Sequence, residues 1–354
     1  MFVEAQVADP KAAPLVLWSN GGPGAASSYG LFAEFGPLIL SDQSLLTADY
    51  NATGVPSLFY NPHAWTNVAN ILILNGGGPV GYTYCDPVGP AGNGTRCGNW
   101  DDERTATHNA AFVQNWLLAF PEYASLPLFL VGESYAGVYM PMLFERLLDS
   151  PTPPRNLVGL GLGDSCMGLD VLCGPQTGPW FDLLFLGGHG CISVLTFTNV
   201  LEQCPHARLK DGQLDGVPQS CKDALAAANT ECNWDMFYGY NYYDKCGGSG
   251  IHASSKRSPA RAHSSFFSSS SSSSSASSPF RVDDAPPSLP SGQPNGYPCG
   301  GDAVLAIWVQ TPAVKKALNV APDSVYFSGD NGVGFNYTLT YKSALPLVRR
   351  LQVI

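Results

Sequence analysis

Leu126-Pro127-Leu128-Phe129-Leu130-Val131-Gly132-Glu133-Ser134-Tyr135-Ala136-Gly137 decides the fold. Leu126 to Val131 is an unbroken apolar run ended by Gly132, the pattern of a buried strand. Val138 to Leu148 continues with helical periodicity. Between them, Gly132 and Ala136 stand two residues before and two after Ser134. That spacing suits a nucleophile elbow. Small residues let the strand turn sharply into the helix, the serine hydroxyl projects above the sheet, and the following backbone N–H faces an oxyanion.

Outward from the elbow, the same rhythm repeats. Pro14 to Trp18, Asn70 to Leu74 and Asn156 to Leu162 are further short apolar runs, each ended by glycine-rich sequence. Unbroken Leu/Ile/Val runs are what a parallel sheet covered on both faces requires. Glu103 to Phe120 sets Ala106, Ala110, Val113, Leu117 and Phe120 at helical spacing, and Pro121 closes it. Thr311 to Leu318, with Pro312 in the first turn, and Ser343 to Leu351 read as later helices. Strand and helix alternate, which predicts an α/β chain with a doubly wound sheet.

Four segments follow. Residues 1–164 form the first part of the α/β core and 299–354 its second, incomplete part. Residues 165–246 lose the alternation and hold seven of the ten cysteines, which predicts an inserted, disulfide-tied helical cap. Residues 247–298 are low-complexity. Twelve of the fifteen positions 264–278 are serine, and Pro286, Pro287, Pro290 and Pro294 follow, so a disordered linker is expected.

Composition narrows the function. The net charge of −10 argues against nucleic-acid binding, and no apolar run is long enough for a membrane span. No zinc-protease, phosphate-loop or Cys-x-x-Cys pattern occurs, so neither metal nor cofactor is expected. Ten cysteines and three Asn-x-Ser/Thr sequons, at Asn51, Asn93 and Asn336, predict a disulfide-bonded glycoprotein of an oxidising compartment. Met1 to Gln6 lacks the apolar core of a signal peptide, so either the protein is cytosolic or its natural N-terminus lies further upstream. Finally, Asn20-Gly21-Gly22-Pro23-Gly24 follows the first long strand and can aim a backbone N–H at a developing oxyanion. Paired with the elbow, it points to acyl chemistry on Ser134.

Taken together, these stretches resemble the serine carboxypeptidases of the cathepsin A and vacuolar carboxypeptidase family, an α/β-hydrolase fold. The likeness runs through Pro14–Pro37, Asn61–Tyr84, Gly132–Pro141, Gly188–Ser193 and Val314–Val320. It implies Ser134 as nucleophile, Gly22 and Tyr135 as oxyanion-hole N–H donors, and Asn20, Glu34 and Glu133 as the grip on a substrate's C-terminal carboxylate. Such a grip holds two glutamates against a carboxylate only where a proton is shared, which favours acidic surroundings. Peptide or protein C-termini are the implied partners, and the vacuole, lysosome or exterior, reached through the secretory pathway, the implied location. The oligomeric state stays open.

The chain also departs from that family. A serine nucleophile needs a base and an orienting acid, in the order Ser, Asp, His for this fold. The histidines after Ser134 are His189, His206, His252 and His263, none of which matches the family's catalytic position. Asp330 precedes a helix rather than following a strand, so it reads as a look-alike. The expectation is therefore a chain clipped at both ends and inactive as written, with no histidine beside Ser134. An acyltransferase and a catalytically dead binding or chaperone-like homologue remain alternatives. Ala25 stands where the family usually bridges a cysteine to the position of Cys299, leaving Cys299 free or re-paired. Asn75 to Pro79 departs from the family's turn. Cys85 and Cys97, flanking a Gly/Pro-rich loop, suit a local disulfide.

Overall fold

The computed structural model describes residues 1–86, 89–91, 97–154, 156–169, 179–211, 214–232, 300–329 and 336–352. The expected linker at 247–298, together with Asn93, His252, His263, Cys299 and Asp330, lies outside them.

Nine strands are present among the described residues: β1 (Phe2–Val3), β2 (Leu15–Ser19), β3 (Leu38–Ile39), β4 (Phe59–Tyr60), β5 (Asn70–Ile73), β6 (Trp100–Asp101), β7 (Leu128–Glu133), β8 (Leu157–Gly163) and β9 (Tyr337–Thr338). Five form the central sheet in the order β1-β5-β2-β7-β8. All neighbours run parallel except β1, which pairs antiparallel with β5. The four long apolar runs are thus β2, β5, β7 and β8, within two residues of their expected limits. The two-residue pairs β3–β4 and β6–β9 complete the set, and the short helix α1 (Ala48–Thr53) lies between β3 and β4 in the chain.

Alternation along β2 divides the core. Leu15 and Leu17, with Leu128 and Leu130 of β7, face α2 (Asp102–Ala119) and α3 (Ala136–Leu148). Val16 and Trp18 face the opposite layer, where Leu31 and Phe32 of a π-helical turn (Gly30–Glu34) meet Val304, Leu305 and Trp308 of a later helix. Each fully buried leucine contributes on the order of 2 kcal/mol. The Asp101 side chain caps α2 by accepting from the Arg104 N–H at 2.7 Å, and acidic residues fill its first turn. Phe120 was expected on the core face of this helix. It lies one residue beyond, 44% exposed, because a residue before proline is driven out of helical geometry. α3 begins at Ala136, two residues earlier than its apolar pattern announces.

Four helices, α4 (Trp180–Gly188), α5 (Val194–Gln203), α6 (His206–Asp211) and α7 (Gln219–Cys232), share a separate apolar core of Leu183, Leu186, Val200, Leu209 and Leu225. Cys191–Cys232 and Cys204–Cys221 tie them, and Cys85–Cys97 closes the Gly/Pro-rich loop. The chain then returns through α8 (Gly301–Gln310), α9 (Pro312–Ala317) and α10 (Leu345–Leu351). Among the described residues, no helix is long and apolar enough to cross a membrane.

Candidate active site

β2 and β7 are parallel neighbours with Ser19 opposite Gly132, so the chain leaves both strands at the same place. After β7, Ser134 adopts φ +55°, a left-handed conformation that costs a non-glycine residue about 1 kcal/mol or more, and its side chain is exposed. The flanking small residues are required by space. A Cβ on Gly132 would stand 2.5 Å from the Ala136 Cβ, and one on Gly137 would stand 2.3 Å from the Cys166 carbonyl oxygen.

The turn after β2 presses onto this elbow. A Cβ at Gly21 would lie 2.2 Å from the Tyr135 nitrogen and 3.0 Å from the Ser134 Cβ. Gly22 follows at φ +108°. Among the described residues, neither the Gly22 nor the Tyr135 N–H donates to a protein acceptor. Two uncommitted backbone donors therefore belong to the turn and the elbow that meet at an exposed serine, an arrangement that can stabilise an oxyanion.

Beside them stands a polar trio. The Asn20 Oδ1 accepts from the Trp18 Nε1 at 2.9 Å and the Gly30 N–H at 3.1 Å. Its Nδ2 is thereby turned outward and donates to the Glu133 Oε1 at 2.6 Å. Glu133 in turn hydrogen-bonds Glu34, at the end of the π-helical turn. Burial, then the charge of Glu133, then that hydrogen bond raise the Glu34 pKa to about 8. At neutral and acidic pH Glu34 is a proton donor, and the trio can receive an anionic ligand. All three residues singled out from the sequence are thus in one cluster, one peptide bond from Ser134.

The other candidates fall elsewhere. Among the described residues, no hydrogen bond joins Ser134 to a histidine. The His189 Nδ1 meets the Phe185 carbonyl at 2.8 Å, and the His206 ring packs edge-on against Trp180 at 4.2 Å. Asn51 and Asn336 are exposed, as glycan acceptors must be.

One residue escaped the sequence reading. Asp102, 1% exposed, accepts hydrogen bonds from the Tyr135 phenol at 2.6 Å and from the Tyr337 phenol at 2.9 Å. The Thr340 N–H, the Thr340 hydroxyl and the Tyr341 N–H bond its second oxygen at 2.6, 2.8 and 2.8 Å. In the sequence it stands one residue before the helical pattern that begins at Glu103. Three of its four partner residues lie 235 or more positions away, beyond any local pattern.

Both the sequence and the fold have known relatives. A family model described as serine carboxypeptidase matches residues 1–352. The lysosomal protective protein of Mus musculus is 31% identical over 247 residues, covering 70% of this chain and 46% of that protein. Serine carboxypeptidase-like 20 of Arabidopsis thaliana is 29% identical over 355 residues, covering 91% and 63% respectively. The chain thus spans between about half and two thirds of the length of these relatives. A solved prohormone-processing carboxypeptidase from Saccharomyces cerevisiae superposes with a TM-score of 0.57 at 17% identity, over 99% of this chain and 65% of that one.

Proposed function

The chain belongs to the serine carboxypeptidase family, and from that premise we propose that it acts on peptide C-termini through an acyl-enzyme on Ser134. Ser134 attacks the last peptide bond, and the N–H groups of Gly22 and Tyr135 stabilise the tetrahedral oxyanion. Asn20, Glu133 and a protonated Glu34 hold the substrate's terminal carboxylate, which fixes the scissile bond one residue from the end. The observation that carries this reading is the glutamate pair adjoining the exposed serine, because an acyl-transfer site that ignored chain ends would have no use for it. Attack also requires an imidazole to take the serine proton. Among the described residues none is hydrogen-bonded to Ser134, so turnover depends on a base supplied from outside them.

Three disulfides among the described residues and two exposed sequons support passage through the secretory pathway. A grip that needs a proton supports an acidic destination, the lysosome or vacuole.

The reading is tested by two measurements. Calorimetric titration at pH 5 with a blocked dipeptide should show binding of the free acid and at least ten-fold weaker binding of its amide. A fluorophosphonate probe should label the wild-type chain, however slowly, and leave Ser134→Ala unlabelled. Equal affinity for acid and amide would sink the proposal. Preference for the acid without labelling would replace it with a non-catalytic binder of C-termini.

A further inference from the structure

The Asp102 carboxylate is an anchor with five protein donors. Its two oxygens take the phenols of Tyr135 and Tyr337 on one side and the Thr340–Tyr341 backbone and hydroxyl on the other. A buried carboxylate is costly unless its lone pairs are met. Here they are met, and the N-terminus of α2, where Asp102 is the first residue, adds its dipole. The carboxylate is thus fixed from two directions, and one of its donors belongs to the residue that follows the nucleophile.

We propose that Asp102 is a positioning residue for the oxyanion hole: through the Tyr135 phenol it holds the backbone N–H of residue 135 beside Ser134. The inference rests on the acyl-enzyme reading above. The physical link is the peptide plane between residues 134 and 135. Ser134 is held at φ +55°, and a strained residue persists only where its surroundings over-determine it. Relaxing that strain would rotate the 134–135 peptide and swing its N–H away from the serine. The Tyr135 ring, 3% exposed and set edge-on to Tyr139 at 5.2 Å, is pinned at its far end by Asp102 and resists the rotation. Burial, followed by the Asp102 charge, raises the Tyr135 pKa, so the phenol stays a donor.

Tyr135 and Tyr337 donate to the same oxygen of Asp102, which permits a discriminating test. Tyr135→Phe and Tyr337→Phe each remove a phenol that donates to Asp102 and no ring, and both should fold with lowered thermal midpoints. The second-order rate of fluorophosphonate labelling at Ser134 should fall at least ten-fold in Tyr135→Phe and stay within two-fold of wild type in Tyr337→Phe. Asp102→Asn should slow labelling as well. If that variant does not fold, the phenylalanine pair suffices. Labelling of Tyr135→Phe at the wild-type rate, or equal slowing in both, would overturn the positioning role and leave the acyl-enzyme reading intact. A wild-type chain that is never labelled would overturn both together, a result distinct from either.

Discussion

Glu34 is the residue whose chemistry can be read against pH most directly. Its pKa rises from 4.5 to about 8, so the folded chain holds a proton that the unfolded chain has released between those values. Folded stability from this group is therefore complete below about pH 4.5 and lost as pH climbs through 8. Ligand binding follows the same proton. Above pH 8 two carboxylates would confront a third on the substrate, so affinity for a free-acid peptide should drop steeply between pH 7 and 9. In Glu34→Gln, which donates at every pH, that drop should vanish. Titrations of the same peptide at pH 5, 7 and 9 decide the matter, and a persistent drop in the variant would assign it to another group.

At the scale of the element, β8 shows how a strand is shaped by its neighbour. Its sequence Leu157-Val158-Gly159-Leu160-Gly161-Leu162-Gly163 puts glycine at every second position after Val158. A Cβ at Gly159 would lie 2.6 Å from the Phe129 ring and one at Gly161 would lie 3.2 Å from Val131, whereas a Cβ at Gly163 meets nothing. Gly159→Ala should destabilise the protein by about 1–3 kcal/mol through overpacking. Gly163→Ala should be neutral or slightly stabilising, since alanine restricts the unfolded chain. Urea midpoints of the two variants give the comparison, and equal shifts would refute the steric account. β2 and β5 were legible in the sequence because burial of every residue demands an unbroken apolar run, and β7 and β8, which are only partly buried, because their apolar runs lead into glycine. β3, β4, β6 and β9 were not, since two residues carry no period. Ser134 stood out because its turn needs glycine and alanine at fixed offsets. The grouping of Glu34 with Glu133 came only through resemblance, for 99 residues separate them and neither has a local signature.

In the whole molecule, α4 to α7 enclose an apolar core that shares no buried residue with the clusters around the sheet. Cys204→Ala with Cys221→Ala should cost this unit about 3 kcal/mol, the value for a crosslink closing a loop of this length. Hydrogen exchange should then quicken in residues 180–232 and stay unchanged in α2 and α3. Quickening throughout would mean that the molecule opens as one piece. The sheet region has the opposite character. Its two layers are finished by the far end of the chain: Trp308 packs in one, Leu347 in the other, β9 pairs with β6, and Thr340 and Tyr341 close over Asp102. That closure carries a consequence in time. A ribosome adding 5–20 residues per second makes residue 340 about 10–50 s after residue 102. Throughout that interval α2, α3 and the strands beneath them can gather, but the acid at the head of α2 lacks its donors Tyr337, Thr340 and Tyr341 and stays in water. The nascent protein is thereby kept from sealing its interior early, and the stretch around Thr340 and Tyr341, made long after α2, is the one that lets Asp102 be buried.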